Sequence, residues 1–170
     1  CDRRQRQMCI RDRYKDPKTV DIRFAFCFPD VYEIAMSYLG IQILYDMLNQ
    51  REDTYCERLY SPWMDLDAIM RERHIPLFAL ESQDAVKDFD FLAMTLQYEM
   101  CYTNVLQILD LSQIPLKSKD RTLEHPFVIG GGPCAYNPEP LAEFFDIFYI
   151  GEGETVYNEL MDCYKIWKKK

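Results

Sequence analysis

The chain has 170 residues, with 20 Lys and Arg against 28 Asp and Glu for a formal charge of −8, and 48% of it is hydrophobic. That length suits one domain with a sizeable core. No apolar run reaches the roughly 18 to 20 residues of a membrane span, and the first residues lack the apolar centre of a signal peptide, so a cytoplasmic protein with no membrane contact is expected.

Residues 1–13, CDRRQRQMCIRDR, read as a non-native, adapter-derived or disordered segment, set apart from a domain over 14–170. Without them 15 basic residues face 26 acidic ones, a charge of −11, which opposes a phosphate backbone at long range and argues against direct nucleic-acid binding. Val20 to Phe28 is apolar almost throughout, the pattern of a strand covered on both faces, and Pro29-Asp30 stops it. Apolar residues at 34, 38, 41, 45 and 48 predict a helix from Val31 to Asn49. A strand at Thr54 to Tyr60 follows, then a break at Ser61-Pro62 and a polar helix from Met64 to Arg73. Pro76 to Leu80 reads as a brief strand near an edge, with a short helix at Asp84 to Lys87.

Phe89 to Leu96 is the next apolar run, and Tyr98, Tyr102, Val105 and Leu109 continue it at helical spacing until Ile114-Pro115. Lys117 to His125 is a polar loop. Phe127 to Ile129 then runs into Gly130, Gly131 and Gly132, after which Asn137 is placed to cap a helix whose first turn tolerates Pro138 and Pro140. Ile147 to Ile150 is a last strand, ending in Gly151-Glu152-Gly153-Glu154, and Thr155 to Lys168 a last amphipathic helix closed by lysines that suit its negative end. Strands alternating with helices predict an α/β fold with one doubly wound, mostly parallel sheet flanked by helices.

In such sheets ligands bind outside the carboxyl ends of the strands. Three strand ends converge there: Pro29-Asp30, Thr95-Leu96-Gln97, and Gly130-Gly131-Gly132-Pro133, with Gly151-Glu152-Gly153 at the side. Backbone amides and small polar groups dominate this set, which suits a large ligand held by shape and hydrogen bonds better than acid–base chemistry. Glu152 and Glu154 have no acid–base partner in their motif, and Val156 occupies the third glycine position of a dinucleotide fingerprint. No phosphate loop is present. A response regulator needs an aspartate where Thr95-Leu96-Gln97 stands.

Cys27, Cys56, Cys101, Cys134 and Cys163 lie far apart, so no pair has metal-ligand spacing, and buried reduced thiols are expected for Cys27, Cys101 and Cys163. His74 at a helix end and His125 in a loop read as solvated residues. Trp63, beside Pro62 and Asp65, reads as a covering hydrophobe, with packing on a neighbouring domain or ligand as the alternative.

The order Gly-Gly, Pro-containing turn, Pro-Glu, Asp-led apolar strand and Gly-Glu-Gly-Glu resembles the end of the cobalamin-binding-like domain that precedes the catalytic barrel of many radical S-adenosylmethionine proteins. Phe24 to Leu48 and Asp90 to Tyr102 resemble the first and fourth strand regions of one uncharacterised branch. The resemblance covers residues 20 to 168 and implies a Rossmann-like, flavodoxin-like cobalamin-binding fold. It implies cobalamin as the cofactor here, with S-adenosylmethionine and a 4Fe-4S cluster only in a downstream radical domain of the same protein, because the Cys-x-x-x-Cys-x-x-Cys loop that holds the cluster is missing from this chain. On that reading the chain is truncated before the catalytic domain and is not catalytic alone. Two departures, Ala35 where related domains often carry glycine and the absent Asp-x-His-x-x-Gly that supplies a cobalt ligand, leave open a cofactor-free version serving as a docking or scaffold domain.

Overall fold

A computed structural model describes residues 15–169, so the segment 1–13 lies outside the described residues. Five parallel strands form one sheet: β1 (Ile22–Phe28), β2 (Thr54–Tyr60), β3 (Phe91–Thr95), β4 (Phe127–Gly131) and β5 (Ile147–Phe148), in spatial order β2-β1-β3-β4-β5. The register is continuous, with Phe24 opposite Cys56 on one side and Phe91 on the other, and Thr95 opposite Gly131. This is the doubly wound, flavodoxin-like order, whose topological switch point lies between β1 and β3.

The helices are α1 (Tyr32–Ala35), α2 (Leu39–Gln50), α3 (Met64–Glu72), α4 (Tyr102–Leu111) and α5 (Gly153–Lys168). Successive strand residues face opposite sides of the sheet, which sorts the core into two layers. Phe24, Phe26, Cys56, Phe91, Ala93 and Ile129 pack under α2 and α5 through Ile41, Leu48, Tyr157 and Met161. Ala25, Cys27, Leu59, Leu92, Met94 and Val128 pack under α3 and α4 through Met70, Val105, Ile108 and Leu109. The near-continuous apolar runs in β1 and β3 exist because both faces are covered.

Four elements differ from the sequence expectation. The helix over 31–49 is two pieces, because the chain turns at Met36 to Tyr38; the Tyr38 ring packs edge-on against Phe28 and lies over Gly40, where an added Cβ would sit 2.8 Å from it. No strand forms at 76–80. Only a Phe78–Ala85 bridge is present, because residues 80–82 are spent on β2: Leu80 N–H donates to the Arg58 carbonyl, Glu81 accepts from the Arg58 N–H at 2.7 Å, and Ser82 N–H donates to Glu57 at 2.8 Å. The helix after Asn137 is replaced by two 3-10 turns, Pro133–Tyr136 and Glu139–Leu141; Pro138 and Pro140 remove two donors from that stretch, and Asn137 gives its backbone N–H to Cys134 rather than capping. The last strand stops at Phe148, two residues early.

The expected polar loop at 117–125 holds a buried cation. Arg121, with a side chain 4% exposed, pairs with Asp146 and donates to the carbonyl of Phe144, while Asp146 also accepts from Val128 N–H and Ser118 Oγ. Cys27 and Cys101 are buried as expected, but Cys163 is exposed. Trp63 is also exposed, at 62%, and so is not the covering hydrophobe anticipated.

Candidate functional site

At the carboxyl ends of β1, β3 and β4, on the α2–α5 side of the sheet, lies a cavity of about 180 Å³. Phe26, Met94, Thr95 and Gly131 line it from the strands, with Tyr38, Tyr149 and the first turns of α2 and α5 around them. Eight of the twelve candidate residues line it: Thr95, Gln97, Gly131, Gly132, Pro133, Gly151, Glu152 and Gly153. Pro29, Asp30, Leu96 and Gly130 do not.

Each glycine there has its own cause. Gly131 faces the cavity, and a Cβ added to it would meet only the carbonyl oxygen of Tyr149, at 3.8 Å. Gly130 faces the other way, where an added Cβ would lie 2.9 Å from the Phe148 ring. Gly132, at φ 91°, turns the chain against the backbone of Leu96. That turn is fastened by the Leu96 N–H to the Gly131 carbonyl at 2.7 Å and the Cys134 N–H to the Leu96 carbonyl at 3.0 Å, so Leu96 holds the loop rather than lining the site. Gly151, at φ 144°, makes the turn from β5 into α5.

Two helix starts face this space. Neither the first turn of α2 nor that of α5 has a side-chain cap, the flanking residues being Tyr38 and Glu152. Their first-turn amides, apart from the Thr155 N–H that donates to the Glu152 carbonyl at 3.2 Å, and the positive ends of both helix dipoles therefore border one cavity. Of the side chains, Gln97 donates to Thr95 Oγ1 at 2.6 Å, which orders both groups and leaves the Gln97 carbonyl and one amide hydrogen for a ligand. Among the described residues no cation lines the cavity, and Glu152 and Glu154 are exposed at its edge. Anionic groups would be met by backbone amides.

Asp30 has a separate task. Its carboxylate accepts from Tyr98 Oη and from the Val31 N–H; desolvation and then the Asp30 carboxylate push the Tyr98 hydroxyl up to about 12. The carbonyl of Pro29 accepts from Asn104 at 3.0 Å. This pair ties the β1 end to the β3–α4 connection. His74 follows α3 and His125 precedes β4, so both stand at the amino end of the sheet, opposite the cavity.

Sequence reasoning missed Phe26, Tyr38, Gly40, Ile41, Leu44, Met94, Tyr149, Glu154 and Tyr157 as lining residues. The Tyr38-Leu39-Gly40 interruption was the available signal, because a glycine two residues into a helix marks a close approach.

Residues 40–170 match the family described as "Radical SAM proteins, N-terminal". The chain is also similar to the uncharacterized protein MJ0966 of Methanocaldococcus jannaschii, at 29% identity over 152 residues, 85% of this chain and 28% of that protein. The chain thus spans under a third of this relative's length. No solved structure matches.

Proposed function

Because the chain belongs to the N-terminal family of radical SAM proteins, we propose that it is the accessory domain that holds cobalamin by its nucleotide tail for a downstream iron–sulfur domain of the same protein. The observation that carries this is the open face of Gly131 beneath two uncapped helix starts. At about 180 Å³ the cavity is smaller than the roughly 300–1,000 Å³ that encloses a whole drug-sized ligand. It would take one planar ring system, the remainder of the cofactor staying outside it. Thr95 and Gln97 would orient that tail, Gly131 and Gly132 would admit it, and the α2 and α5 amides would meet its polar groups. When bound, cobalamin supplies a cobalt centre for group transfer or electron transfer, and the protein contributes binding and orientation. S-adenosylmethionine and the 4Fe-4S cluster belong to the catalytic domain.

The test is direct. The purified chain is mixed with hydroxocobalamin, passed through gel filtration and examined for retained colour. Retention is expected, and its absence at saturating cofactor removes cobalamin from the reading. The second reading, a cofactor-free docking domain, is favoured by the small volume of this cavity beside a larger apolar groove.

A further inference from the structure

That groove, of about 710 Å³, lies on the other side of the β1 end. Val31 and Tyr32 after β1, Trp63 and Leu66 at the start of α3, and Leu77 and Phe78 form its apolar walls. The surface around it is apolar too, with Met64 74% and Ile34 56% exposed. An indole left in water beside a groove of this size is the feature of a docking surface, not of a finished exterior.

Its charge is one-sided. Glu33 and Asp65 line the groove, and neither is in an ion pair among the described residues. The cation there, Arg58, is spent on buried Glu81 at 2.7 Å. The segments that follow the five strands, 29–38, 61–63, 96–101, 132–146 and 149–152, contain no Lys, Arg or His at all. An occupant must therefore bring the positive charge. Tyr60, also lining the groove, has a buried hydroxyl without a partner, so the occupant gains by offering an acceptor.

We propose that the groove seats a segment of the parent protein beyond residue 170, an apolar stretch flanked by Lys or Arg. The similar archaeal protein, of which this chain covers 28%, has ample further sequence to supply such a segment, and the acidic rim of the groove is complementary to its charge. The proposal rests on the accessory-domain reading but not on cobalamin.

The experiment uses the full-length parent with benzoylphenylalanine in place of Trp63. Irradiation followed by peptide mapping should give an intramolecular crosslink to one apolar, Lys- or Arg-flanked stretch beyond residue 170, at a yield independent of protein concentration. Glu33→Lys with Asp65→Lys should lower that yield roughly tenfold. Crosslinks between two molecules, crosslinks confined to residues 1–170, or a yield unmoved by the charge reversal would each overturn the proposal. If the variant at 63 does not fold, the same probe in place of Leu66 answers the question. Hydroxocobalamin retention measured on the same protein separates the two readings, because docking without colour sinks the cofactor alone and colour without docking sinks this inference alone.

Discussion

An added Cβ makes only an ordinary contact at Gly131, 3.8 Å from the Tyr149 carbonyl oxygen, but runs into the Phe148 ring at Gly130, so two adjacent glycines answer to different requirements. Gly131→Val should keep the fold, since valine suits a strand and its Cβ would meet nothing closer than the Tyr149 carbonyl oxygen at 3.8 Å. It should abolish hydroxocobalamin retention, checked by gel filtration alongside circular dichroism; unchanged retention in a folded variant would remove Gly131 from the site. Gly130→Ala should instead cost about 1–3 kcal/mol of overpacking in urea unfolding. The glycine run was legible as a place where side chains are excluded, but not which side of the sheet each faced. That depends on register with β3, which pairs Thr95 with Gly131. Positive φ, expected of the run, belongs to Gly132 alone.

At the scale of elements, α5 is fastened to the amino end of the sheet by charge. Lys165 reaches Asp53 at 2.6 Å and Lys168 reaches Asp90 at 2.6 Å, while Arg51 bridges Asp53 and Asp162. Desolvation pushes the Asp53 carboxyl up, but hydrogen bonds from Arg51, Lys165 and Thr54 outweigh it and hold it well below the usual carboxylate range. A lowered folded value means that its stabilisation is present above the unfolded value, about 3.9, and is lost as pH falls toward the folded one. Asp53→Asn should therefore be less stable than wild type at pH 7, and the two should converge below about pH 4. Urea midpoints against pH decide this, and a gap that stays constant into acid would contradict it. The four long strands were legible because apolar runs bounded by turn residues leave little choice. The break at Met36 to Tyr38, the 3-10 turns after Gly132 and the Arg121–Asp146 pair were not, because each is set by packing or pairing with residues distant in sequence.

For the whole molecule, the chain belongs to a family of N-terminal domains of radical SAM proteins and covers 28% of a similar archaeal protein; on the reading proposed above, a catalytic domain follows it. The remainder of the parent sequence should carry a three-cysteine Cys-x-x-x-Cys-x-x-Cys loop, and sequencing the intact locus checks it; a stop codon soon after Lys170 would contradict it. A sheet that must coexist with a second domain needs a closed edge, and β2 has one. Lys15 Nζ donates to the Thr54 carbonyl, the Asn49 side chain exchanges two bonds with the backbone of Cys56, and Leu80 and Glu81 cover Arg58. Asn49→Ala should cost about 1–3 kcal/mol, by leaving the buried Cys56 amide unpaired, and should raise light scattering on heating. Every one of these caps comes from residues 15–81, ahead of β3, β4 and β5 in the chain. At synthesis rates of about 5–20 residues per second, every residue that covers the β2 edge is thus made before β3, β4 and β5, so closing that edge waits on no later part of the sheet.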